Sequence, residues 1–136
     1  GLAALDVADY DGDGVDEAFL STASLYDGYL ATYDFSASAT EWQSPLNYAS
    51  AVAATHADMT GDGAADFVVI GGDGKISVVD PLHSTSVWQS TTLNNGVDIG
   101  AADINQDGRP ELIALTGGFL YVYGNTAWGA PFTQSA

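Results

Sequence analysis

"ADYDGDGVDEAFL", Ala8 to Leu20, places five carboxylates within nine residues and has no lysine or arginine among them. Asp9, Asp11, Asp13 and Glu17 fall at positions 1, 3, 5 and 9 of a loop whose sixth residue is Gly14. Alternate positions of a tight loop turn their side chains toward one interior point, and a glycine at position 6 permits the sharp bend. One such stretch could be a solvated turn, because Asp and Gly are the usual turn formers. The stretch recurs, however, as "ADMTGDGAADFVV" from Ala57 and as "ADINQDGRPELIAL" from Ala102. The leading aspartates, Asp9, Asp58 and Asp103, are 49 and then 45 residues apart, and eleven of the 18 acids lie in the three loops. That period is the length of a four-stranded supersecondary unit.

The surroundings repeat with the loops. A run of small and apolar residues precedes each one ("LAALDVAD", "AVAATHAD", "VDIGAAD") and a β-prone run follows ("EAFLSTAS", "DFVVIGGD", "ELIALTGG"). A glycine turn then leads to "YLATYDF", "KISVVDP" or "FLYVYGN", and a tryptophan segment closes each unit ("TEWQSPL", "SVWQSTTL", "TAWGAPF"). Helical spacing of apolar residues is not sustained, and glycines punctuate the chain throughout. The fold class is therefore all-β: one domain over 1–136 with three four-stranded antiparallel units at about 1–48, 49–95 and 96–136. Trp88 to Trp128 is shorter than Trp42 to Trp88, 40 residues against 46, which predicts a trimmed connection after Tyr123.

Composition narrows the partners. The chain has 136 residues, a formal net charge of −16 and only Lys75 and Arg109 as strong bases. Phosphate neutralisation needs clustered cations, so a nucleic-acid partner is excluded, and an anionic membrane surface would repel the chain. No apolar run approaches the roughly 20 residues that cross a bilayer, so membrane insertion is not expected. The absence of cysteine removes disulfides, thiolate metal sites and a cysteine nucleophile, and leaves the redox compartment open.

The loops suit a hard cation. Ca²⁺ takes six to eight oxygen ligands at about 2.3–2.6 Å. The candidate ligands are Asp9, Asp11, Asp13, Val15 (by its carbonyl) and Glu17; Asp58, Thr60, Asp62, Ala64 and Asp66; and Asp103, Asn105, Asp107, Arg109 and Glu111. A helix-loop-helix calcium hand needs its glutamate at position 12, where this chain has Leu20, Val69 and Ala114. Zinc would call for His or Cys ligands, which the loops lack. Charge count ranks the first loop tightest, then the third, then the second, the amide oxygen of Asn105 being a stronger dipole than the Thr60 hydroxyl.

"DYDGDGVDE", "DMTGDGAAD" and "DINQDGRPE", each set between a small-residue strand and an apolar strand, resemble the FG-GAP/VCBS repeats of integrin-type β-propellers. The resemblance covers essentially the whole chain. It implies that each loop joins the first two strands of a blade and binds one Ca²⁺, about three in all. Closed propellers have about four to eight blades. Three blades therefore imply either a segment of a larger protein or copies that complete a ring, because open flanks expose strand edges and apolar side chains.

Catalysis finds little support. His56 reads as a packed strand residue and His83 as a solvated one in a surface connection, while the close carboxylate pairs belong to the loops. Trp42, Trp88 and Trp128, with tyrosines such as Tyr26, Tyr48 and Tyr121, could stack on sugars, but one tryptophan per unit reads first as inter-blade packing. The resemblance implies a calcium-stabilised, secreted or cell-surface binding or adhesion module with a protein or glycan ligand. Its alternatives are a lectin, the propeller part of a polysaccharide lyase, or a structural subunit of a surface filament.

Overall fold

The computed structural model describes residues 2–22 and 28–135; Tyr26 lies outside them. Among the described residues there are twelve strands and no helix. The first blade holds β1 (Leu2–Ala8), β2 (Glu17–Thr22), β3 (Tyr29–Asp34) and β4 (Ala39–Asn47). The second holds β5 (Ala51–Ala57), β6 (Asp66–Gly71), β7 (Ile76–Asp80) and β8 (Thr85–Gln89). The third holds β9 (Gly96–Ala102), β10 (Glu111–Thr116), β11 (Leu120–Gly124) and β12 (Thr133–Gln134). Each blade is an antiparallel sheet whose strands are paired in chain order. The leading strands lie side by side, with β5 touching both β1 and β9.

Register puts every acidic loop at the same place. Ala8 pairs with Glu17, Ala57 with Asp66 and Ala102 with Glu111. The position-9 acid therefore opens the second strand of its blade, at the root of a loop that leaves the leading strand one residue before position 1.

The blades are held by the residues between them. Tyr10, Phe19 and Leu30 of the first blade meet Phe67, Val69 and Val79 of the second. Val68, Ile70, Ile76 and Val78, on the second blade's other face, meet Leu112, Ala114 and Tyr123 of the third. Every residue of β6 and β7 is consequently buried, and "FVVI" reads as an unbroken apolar run because both of its faces are covered. The tryptophans of the first two blades reach across to the next one. Trp42 lies 5.5 Å from Phe67, and Trp88 lies 5.3 Å from Tyr123 and 5.4 Å from Phe132.

Three expectations from the sequence are corrected. The connection after β11 spans 125–132 and is longer than its counterparts at 35–38 and 81–84, so no trimming falls there; β12 instead keeps two residues. Trp128 sits in that connection, outside any strand, and covers the second acidic loop at Gly61, where an added Cβ would stand 2.7 Å from the indole. His56 is exposed rather than packed, and its Nδ1 lies 2.8 Å from Asp6 Oδ2 because β5 runs beside β1.

Candidate metal centre

The three loops share one hydrogen-bonded frame. The leading aspartate accepts backbone N–H groups with both carboxylate oxygens: Asp9 from Gly12 (2.7 Å) and Gly14 (3.0 Å), and Asp103 from Asp107 (3.1 Å) and Gly108 (2.9 Å). Asp58 does the same with Gly61 and Gly63. The position-5 aspartate accepts from the N–H two residues on, as Asp13 does from Val15 (2.8 Å), Asp62 from Ala64 (2.9 Å) and Asp107 from Arg109 (3.0 Å). The position-9 acid accepts the N–H of position 2: Glu17 from Tyr10 (2.9 Å), Asp66 from Met59 (2.7 Å) and Glu111 from Ile104 (3.0 Å). Gly14, Gly63 and Gly108 have φ of +91°, +94° and +88°, which a side chain would disfavour at all three.

On that frame the charges are arranged differently. In the first loop, carboxylate oxygens of Asp9, Asp11 and Glu17 lie within 4.8 Å of one another. Burial raises the Glu17 pKa, and Asp11, Glu41 and Asp13 raise it further. Glu41, brought in by β4, is itself raised by burial and by Asp11, Asp34 and Asp13. Clustered like charges of this kind favour a cation in their midst.

The second loop is divided. Asp66 is buried, which pushes its carboxyl up to about 7 with Asp80 and Asp62 adding to the effect, and the Thr60 hydroxyl oxygen is buried without a hydrogen-bond partner. Asp62 turns toward the β7–β8 connection, where its Oδ2 lies 3.3 Å from His83 Nδ1, itself 2.7 Å from Asp80 Oδ2. His83 is thus paired rather than merely solvated, and its hydrogen bond to Asp80 raises its pKa.

The third loop is cross-linked by its own side chains. Asn105 donates from Nδ2 to Asp107 (3.2 Å) and Glu111 (2.9 Å), and the Arg109 guanidinium pairs with Asp107. Of the position-7 residues, Val15 is exposed, Ala64 buried and Arg109 half-buried.

These donor sets fit Ca²⁺ to different degrees. The first loop offers converging hard oxygens without a compensating base. The second offers the buried Asp66 carboxylate and the unpartnered Thr60 oxygen. In the third, Arg109 already supplies the positive charge.

Residues 58–114 match the family described as the FG-GAP-like repeat. That stretch is similar to an FG-GAP-like repeat. The matched FG-GAP-like stretch runs from Asp58, the leading residue of the second loop, to Ala114 in β10, and so includes both the second and the third loops. No curated protein matches the chain. The first loop and its blade repeat the sequence pattern of the matched stretch, and the structure gives them the same frame of backbone hydrogen bonds.

Glu41, Asp80 and His83 were not among the ligand candidates. Asp34 and Asp80 close the third strands of their blades, so their shared place in the repeat was a usable signal. Nothing in the repeat marks Glu41, which depends on how β4 folds back beside the loop.

Proposed function

We propose that the chain is a calcium-stabilised binding module that works outside cells, with its ions structural rather than catalytic. The observation that carries this reading is the first loop, where Asp9, Asp11 and Glu17 converge with Glu41 nearby and no lysine or arginine pairs with them. Bound Ca²⁺ would offset that repulsion and fix the turn between β1 and β2. Asp9 orients its carboxylate by accepting two backbone N–H groups, and the Glu17 carboxylate holds Tyr10 at the blade interface by accepting the Tyr10 backbone N–H. Loops of this type bind at roughly 10⁻⁴–10⁻³ M in extracellular modules, which matches millimolar external Ca²⁺. Among the described residues no helix is long and apolar enough to cross a membrane.

The ligand on this reading is a protein or glycan met outside the cell. Trp42 and Trp88 are engaged with aromatics of the next blade, whereas Trp128 is half-exposed over the second loop. That exposed indole favours a glycan as the second reading. Isothermal titration with Ca²⁺, with melting curves in Ca²⁺ and in chelator, tests the metal. No heat and no change in melting temperature would refute it. Binding on a glycan array that is lost in Trp128→Ala would support the glycan ligand, and an array without signal would refute it.

A further inference from the structure

The β7–β8 connection carries a histidine that the first blade lacks. Asp34 and Asp80 end equivalent strands, but three residues on stand Ala37 in the first blade and His83 in the second. Asp62 of the second loop, Asp80 and His83 each bring one ligand atom to within 4.8 Å of the others. His83 Nδ1 faces both carboxylates, 2.7 Å from Asp80 Oδ2 and 3.3 Å from Asp62 Oδ2.

The three groups are held in place by bonds of their own. Asp62 accepts the Ala64 N–H with Oδ1 (2.9 Å), and Asp80 accepts the His83 N–H with Oδ1 (2.9 Å), so each turns its Oδ2 to the imidazole. The Thr85 hydroxyl donates to the His83 carbonyl (3.1 Å) and braces the connection. Outer bonds of this kind orient the ligands of metal sites. Negative charge is also left over. Asp80 and Asp66 are buried, and Asp66 feels both Asp80 and Asp62. Against these three carboxylates His83 can set one positive charge, because Lys75 and Arg109 pair with Asp73 and Asp107 instead. Thr60, whose N–H bonds Asp66, adds a buried hydroxyl oxygen without a hydrogen-bond partner.

One nitrogen and two oxygens are a donor set for a borderline ion. Ca²⁺ takes six to eight oxygens, whereas imidazole suits Zn²⁺ and its neighbours. Ligand atoms around a tetrahedral ion at 2.0–2.1 Å stand about 3.3 Å apart. The imidazole and Asp62 already have that separation, and the shorter contact to Asp80 opens when an ion replaces the proton it holds. The His83 side chain is 60% exposed and Asp80 7%, so an ion can enter at the ring and settle against a sheltered carboxylate.

We propose that Asp62, Asp80 and His83 form a metal site of a second kind, which takes Zn²⁺ rather than Ca²⁺ and ties the second loop to the β7–β8 connection. Three protein ligands leave the fourth position to solvent. The site stands independently of the calcium reading, although the two ions would compete for Asp62.

The test is a calorimetric titration of the calcium-free chain with Zn²⁺ at mildly alkaline pH, with the rings of its two histidines followed by NMR. The His83 ring should respond at the first equivalent, ahead of His56. His83→Ala should weaken the tightest Zn²⁺ site by at least about tenfold, since loss of an outer-shell partner alone costs 10–100-fold. Asp80→Asn should weaken it as well, and His56→Ala should leave it unchanged. Co²⁺ as a spectroscopic stand-in should give visible absorption in the parent that His83→Ala loses. Melting curves verify folding; should Asp80→Asn not fold, the exposed His83 carries the test alone. No Zn²⁺ heat in the parent, parent affinity in His83→Ala, or His56 as the responding ring would overturn the proposal. Ca²⁺ binding at the first loop is titrated separately, so its success or failure is distinguishable from this result.

Discussion

Replacing Asp66 with asparagine should change stability in opposite directions with and without Ca²⁺. Asp66 is buried at the start of β6, and its Oδ2 accepts the N–H groups of Met59 (2.7 Å) and Thr60 (3.0 Å), which an amide oxygen can also accept. Burial, with Asp80 and Asp62, raises its carboxyl from 3.8 to about 7. Between these values the folded protein holds a proton that the unfolded chain has released, so chelated protein loses stability as pH rises through that window and levels off above it. The loss at Asp66 is on the order of 4 kcal/mol above pH 7, from about 1.4 kcal/mol per pH unit of displacement. Asp66→Asn cannot ionise, so in chelator above pH 7 it should melt about 10 °C above the parent. Near pH 4, where Asp66 is protonated in the fold, the two should coincide. Glu17 has a raised pKa of the same sign that both proteins retain, and because Asp66 helps to raise the His83 pKa, the difference between parent and variant reports Asp66 together with its effect on His83. In saturating Ca²⁺ the variant loses a ligand and should melt below the parent. Scanning calorimetry over this pH range, in chelator and in Ca²⁺, provides the measurement. A variant less stable than the parent in chelator above pH 7 would refute an uncompensated buried charge at this position.

Asp13→Ala should lower the melting temperature in Ca²⁺ and reduce the ion stoichiometry by one, read by calorimetry and titration. Arg109→Ala removes the guanidinium from Asp107 and should tighten the third site several-fold; because that base now offsets the loop's charge, titration of the parent should place the third site below the second, reversing the order expected from the Asn105 and Thr60 oxygens. Phe67→Ala should cost about 3–5 kcal/mol in urea denaturation, since the ring packs against Tyr10, Phe19 and Trp42 at the first inter-blade contact.

The strands and loops were legible because both are local patterns repeated three times. Small and apolar residues lead into an acidic loop, and a β-prone run follows, so the positions of Ala8 and Glu17, Ala57 and Asp66, and Ala102 and Glu111 came directly from the period. What bends toward a loop from elsewhere was not legible. His83 meets Asp62 only because the β7–β8 connection folds back over the loop, and Glu41 meets Asp11 only because β4 lies near it. Trp128 misled for the opposite reason. It closes its unit in the sequence as Trp42 and Trp88 close theirs, yet the third blade ends in a two-residue strand, and the indole settles on Gly61 instead. His56 misled because its neighbour across the leading strands, Asp6, leaves it hydrogen-bonded at an exposed position.

The complete enclosure of β6 has a consequence for the unfolded chain. "DFVVIG" is the segment most thoroughly withdrawn from water in the fold, and Asp66 is its only charge. Short, uncharged, β-prone segments without proline are those that assemble into cross-β aggregates once exposed. Asp66 therefore acts as a gatekeeper for its own strand. In acid its carboxyl is neutral, and chains that open there present an adhesive stretch with no charge to hold neighbouring molecules apart.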